Sequence, residues 1–82
     1  MKDSVLIKKI CDEVKNLCNI HHYTKVMKLE LSVNYNSLVD NQNLYKNLRS
    51  TSKKIFGPWT EIIISRDDIQ EQTAILHNVE GI

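Results

Sequence analysis

The sequence predicts an α+β fold with the chain order α-β-α-β-β, a three-stranded mixed sheet carrying two helices packed on one face. Three observations predict it. Residues 27–35 alternate with period two: Met27, Leu29, Leu31, Val33 and Tyr35 point one way, and Lys28, Glu30, Ser32 and Asn34 the other, the pattern of a half-buried strand. Apolar residues spaced by three and four flank this strand on both sides, which is the helical period. Two further stretches, 60–66 and 72–80, read as strands separated by a turn.

Each element has its own justification. The first helix runs from about Ser4 to Cys18, with Asp3 or Ser4 as its cap. Leu6, Ile7, Ile10, Cys11, Val14, Leu17 and Cys18 form one broad apolar face, and Lys8, Lys9, Asp12, Glu13 and Lys15 lie mostly opposite. Asn19 to Thr24 connects it to the first strand. Asn36 and Ser37 turn the chain, and Asp40 caps the second helix, whose buried stripe is Leu44, Tyr45, Leu48, Ile55 and Phe56. Gly57 suits a left-handed helix end and Pro58 forbids continuation. The second strand, Thr60 to Arg66, is rich in β-branched residues. Arg66-Asp67-Asp68 reads as a turn into the third strand, so the last two strands are expected to pair as a hairpin with the third strand central. The first two strands then run parallel across the second helix.

This layout leaves apolar residues on the far side of the sheet. Ile63 is sent outward when Ile62 and Ile64 face the helices. With strict alternation, Ile75 and Val79 fall on one side of the third strand and Ala74 and Leu76 on the other. Ile63, Ile75 and Val79 are therefore the candidate interface for a protein partner or a homodimer. The polar face of the first strand is expected to be wet.

Composition excludes several classes of function. The chain has 82 residues, read as a single domain over 1–82, and a core too small to spare surface for a deep pocket. Its 11 basic and 10 acidic residues are interspersed, so no basic stripe points to nucleic acid. The longest strongly apolar run is Ile62-Ile63-Ile64, far short of the ~20 residues that span a bilayer. Charges at Lys8, Lys9, Asp12 and Glu13 break up any signal-peptide core, and a cytoplasmic location is expected.

Chemistry-bearing residues are sparse. Cys11 and Cys18 are seven apart on one helix. At ~1.5 Å per residue they stand about 10 Å apart, too far for a disulfide. No histidine is placed to activate either thiol, and Asp67-Asp68 sit at a turn tip, so no catalytic residues are expected and the chain is not read as an enzyme. Gly57 and Gly81 are the only glycines, which excludes phosphate-cradling loops. Cys18 with His22, one helical turn on, and His21 beside it form an alternative metal-ligand set.

A family pattern emerges from the elements in sequence. Met1-Lys2-Asp3 leads into the amphipathic helix from Val5 to Cys18. Val26-Met27-Lys28-Leu29-Glu30-Leu31 continues through Leu38-Val39-Asp40 to Leu44. Trp59-Thr60-Glu61-Ile62-Ile63-Ile64 forms the second strand, and Ala74 to Glu80 closes the chain. Over nearly its whole length this resembles the nickel-binding domain of the HypA/HybF family, the hydrogenase nickel-incorporation proteins. The resemblance implies a metallochaperone-like accessory role in maturing a nickel enzyme, with a maturation factor or metalloenzyme as partner. The family opens Met-His-Glu and binds nickel through the N-terminal amine, nearby amides and that histidine. Here Lys2 replaces the histidine, and its ammonium has no lone pair. The resemblance therefore implies a degenerate nickel site at Met1 and Asp3. The family's zinc ribbon is replaced by Arg66 to Glu71, with no Cys-x2-Cys pair, so zinc is not expected. The alternative expectation is a small protein–protein interaction or dimerisation module with no metal role.

Overall fold

The computed structural model describes residues 4–82. Helix α1 spans Ser4–His21, strand β1 Val26–Asn34, helix α2 Asn41–Thr51, strand β2 Glu61–Asp67 and strand β3 Ala74–Gly81. The chain is an α+β domain with the predicted element order. The strand order is β2-β1-β3, with β1 parallel to β2 and antiparallel to β3. α1 packs against α2 and β3, and α2 packs against β2, so both helices share one face of the sheet.

The expected hairpin does not form: β2 and β3 lie on opposite edges, and β1 is central instead of β3. The crossing from edge to edge covers two strand spacings, about 10 Å. Residues 68–73 reach further than that, at ~3.3 Å per extended residue. Asn34, the last residue of β1, fixes the crossing. Its Nδ2 donates to the Ile69 carbonyl at 2.5 Å, and its Oδ1 accepts from the Asn36 amide at 2.8 Å. Because the loop passes over it, Asn34 is buried. Asn34→Ala should therefore cost about 1–3 kcal/mol in urea unfolding and speed amide exchange in the loop. An unchanged midpoint would show that the crossing is held some other way.

α1 runs about one turn beyond the predicted Cys18. It stops where His22 enters the left-handed region at φ 56°. The Tyr23 amide then donates to the Cys18 carbonyl at 3.0 Å and the His22 amide to Asn19 at 3.4 Å, the paired bonds of a Schellman end. α2 starts as predicted. Asp40 accepts from the Asn43 amide at 2.8 Å, and Asn43 Oδ1 accepts from the Asp40 amide at 3.0 Å. It ends at Thr51, short of the predicted Gly57. Ser52, the residue after it, is extended at φ −155° and ψ 113°, and its Oγ accepts from the Ile55 amide at 3.3 Å, so a side-chain bond takes the place of the helical ladder there. Ile55 and Phe56 still pack on the core from the irregular segment that follows. Gly57 has no positive φ, so its role is not the left-handed cap expected. A Cβ there would lie 2.6 Å from Trp59 Cζ3, so glycine is needed for the indole to lie against the backbone.

Two bulges decide which side chains reach the core. On β1, Val26 pairs with Gly81 and Lys28 with Glu80, which leaves Met27 as the extra residue. Val26 is consequently buried and Met27 exposed, the reverse of strict alternation. Tyr35 lies past the end of the strand and is also exposed. On β3, Asn78 pairs with Glu30 and Leu76 with Leu31, so His77 is the extra residue. That resets the parity of β3: Ala74, Leu76 and Val79 all pack toward the helices. The core is closed by Leu29, Leu31 and Val33 from β1, Leu44 and Leu48 from α2, and the apolar face of α1.

Candidate functional site

The face of the sheet turned away from the helices carries an extended constellation of charged, polar and apolar side chains. Directly paired residues share a face, so the register reads it rung by rung. Glu61, Lys28 and Glu80 form the first rung, and Ile63, Glu30 and Asn78 the second. Ser65, Ser32 and Ile75 form the third, and Asp67 lies beside Asn34 in the fourth. Lys28 Nζ stands 3.1 Å from Glu30 Oε1. Its hydrogen bond to Glu30, the Glu30 charge, and the further carboxylates of Glu80 and Glu61 hold the Lys28 ammonium above its ordinary pKa. Asn78 Nδ2 donates to Glu80 Oε2 at 2.5 Å.

This face is not uniformly wet, as alternation had implied. Ser32 is 2 % exposed, with its Oγ 2.6 Å from Nε2 of the bulged His77, which lies exposed above it. The pair resembles a nucleophile with its base. A hydroxyl so covered offers no approach to a substrate from solvent, and the bond instead ties the bulge of β3 to β1. Ile63 and Ile75 are exposed, as predicted. Val79 is not part of the outer patch: it pairs with Leu29 and packs against the core, because the His77 bulge turned it inward.

The expected metal ligands are distributed as follows. Met1 and Asp3 lie outside the described residues. Cys18 is buried in the core, and burial pushes its thiol above the ordinary value, against the thiolate that metals require. The His21 ring stacks on Tyr23 at 5.2 Å, and His22 forms the exposed left-handed end of α1. Among the described residues, no three His, Cys, Asp or Glu side chains are grouped to hold a metal ion. No helix among them is long and apolar enough to cross a membrane.

The two thiols make a pH prediction. Burial raises both Cys11 and Cys18 above the ordinary 9.0, with Asp12 adding to Cys11. The folded state thus holds these protons more tightly than the unfolded chain. Their contribution is complete below 9.0 and is lost as pH rises through the raised folded values. Urea unfolding free energy should fall as pH rises past 9.0, and a Cys11→Ala/Cys18→Ala variant should show a shallower fall. An identical slope in the variant would contradict the burial of these thiols.

Sequence reasoning placed Ile63 and Ile75 on the exposed face, as the structure has them, but missed the rung of Glu61, Lys28 and Glu80 and the Ser32–His77 bond. Both need the strand register, and the two bulges that set it leave no mark in the alternation. The geometry defines a two-layer α+β domain with one open sheet face. In comparisons with known proteins, no family model, no curated protein and no solved structure matches this chain.

Proposed function

We propose that this chain is a cytoplasmic accessory protein that docks a protein partner through the open face of its sheet, in HypA-like maturation of a nickel enzyme. One observation supports the docking role above others. The face opposite the helices combines exposed Ile63 and Ile75 with charged side chains, among which Lys28 pairs with Glu30 and Glu80 accepts from Asn78. Interaction surfaces have this mixture of apolar anchors and a polar surround. The nickel-enzyme setting is supported by the resemblance and by an element order that agrees with the fold it implies.

Docking is tested by Ile63→Glu. The side chain is 38 % exposed and lies outside the core cluster, so Tm should stay within about 3 °C of the parent, as for an ordinary surface change. Capture of a nickel hydrogenase or its maturation factor should drop severalfold. Unchanged capture would contradict a role for this face. The setting is tested by a nickel titration followed by amide NMR, on protein with its native N-terminus and with zinc as the control. Shifts at Lys2 and Asp3 with one equivalent of nickel would support the setting and show that the site works without its histidine. A response confined to His21 and His22, or none, would remove the metal role and leave a docking module.

A further inference from the structure

The charge on this face identifies the chemistry of its partner. We propose that the sheet face receives a basic protein segment, one that carries lysine or arginine side chains between apolar ones. The inference rests on the docking reading above and adds the class of partner to it.

The register places Glu61 and Glu80 on either side of Lys28, with Glu30 bonded to the same ammonium. Three carboxylates thus surround one cation, leaving two negative charges uncompensated, and Asp67 adds another at the far end of the face. Cross-strand neighbours stand about 5 Å apart and diagonal ones about 7–8 Å. Glu30, Glu61 and Glu80 lie within about one Debye length of Lys28 at physiological salt, so an approaching ligand meets their joint field; Asp67, six residues along β2 from Glu61, stands ~20 Å from that rung and acts separately.

The whole chain has a net charge of +1, so this face opposes the sign of the remainder. Its counterpart is on the helical layer and the segment after it, where Lys46, Arg49, Lys53 and Lys54 follow Asp40. A basic partner is therefore drawn to the sheet side and turned away from the α2 side.

The apolar component points to a protein segment and not to a free cation. Ile63 on β2 and Ile75 on β3 stand on opposite sides of β1, about 10 Å apart across the face. Ile63 is the next residue after Glu61 on this face of β2, so an apolar contact there would shield an ion pair at the first rung from water and strengthen it. Among the described residues the carboxylates are not grouped closely enough to chelate a metal. A second copy stacked face to face would set the Glu61–Glu80 rung against its own kind, and such like-charge juxtaposition is costly.

The test is an amide NMR titration of the full chain with two synthetic octapeptides, one alternating leucine and lysine, the other alternating leucine and glutamate. The lysine peptide should shift the amides of Lys28, Glu30, Ile63 and Ile75, and bind more weakly as salt rises. Glu61→Gln/Glu80→Gln should weaken it about tenfold with Tm preserved, since both residues are exposed. Asp12→Asn on α1 should leave it unchanged. Equal binding of the glutamate peptide at the same amides would overturn the basic class and leave the docking face standing. Concentration-dependent sedimentation, with Ile63 and Ile75 protected in the absence of peptide, would make the occupant a second copy and also overturn it. No response of the face to either peptide, together with unchanged partner capture by Ile63→Glu, would overturn both readings.

Discussion

Replacing Leu31 by aspartate should abolish cooperative unfolding. Leu31 is 1 % exposed on the central strand, between Ile64 on β2 and Leu76 on β3, and faces the two helices. Removing the leucine side chain alone costs about 2–5 kcal/mol. An isolated carboxylate in that position either pays several more kcal/mol of desolvation or takes up a proton and remains unpaired. A domain of this size has roughly 4–12 kcal/mol of total stability, so the sum exceeds or exhausts it. The variant should show no sigmoidal melt by circular dichroism and a collapsed amide spectrum. Leu31→Ala is the graded control, expected to fold with a lower midpoint. A sharp melt in Leu31→Asp would contradict the placement of β1 in the core.

The second large effect is expected at Phe56, which lies outside regular structure. The segment after α2 carries its ring into the core at 1 % exposure. Its amide donates to Ser52 at 3.2 Å, and its carbonyl accepts from Arg49 Nη1 at 3.4 Å. The segment is further tied to β1: the Val26 amide donates to Ile55 at 3.0 Å, and Thr60 Oγ1 donates to Val26 at 2.8 Å. Phe56→Ala should cost about 3–5 kcal/mol, because a ring-sized void opens where the surrounding backbone is held. That corresponds to a fall in Tm of more than about 12 °C for a domain of this length. The urea midpoint should drop with the slope unchanged, since the surface exposed on unfolding is nearly the same. A loss below about 1 kcal/mol would show that the segment after α2 is not packed on the core.

These two sites mark where the sequence was legible and where it was not. Leu31 was readable because its neighbours Leu29 and Val33 repeat its direction, and a period-two pattern on a buried strand is strong. The apolar stripe of α1 and the cap at Asp40 were readable for the same kind of reason: each is local chemistry with a fixed spacing. Phe56 was correctly placed in the core but wrongly placed on a helix. Ile55 and Phe56 continue the helical spacing, and only the extended backbone of Ser52 and the bond its Oγ accepts from Ile55 show that the helix has already ended. Val79 was lost to the bulge at His77, which changes parity without changing composition. The central position of β1 was hidden too. A short connection favours a hairpin, and the bond from Asn34 to Ile69 that settles the crossing joins residues far apart in sequence. The acidic rung follows from that strand order, so it could not be read until β1 was known to lie between β2 and β3.

The most direct test of the account is therefore the cross-strand NOE pattern of Lys28. The proposed docking face exists only if one residue of β1 has a partner on each side. Lys28 backbone protons should show contacts to both Glu61 and Glu80, and Ser32 to both Ser65 and Ile75. Direct contacts between Glu61 and Glu80, with none from Lys28 to Glu61, would place β3 in the centre and contradict both the fold described here and the docking face built on it.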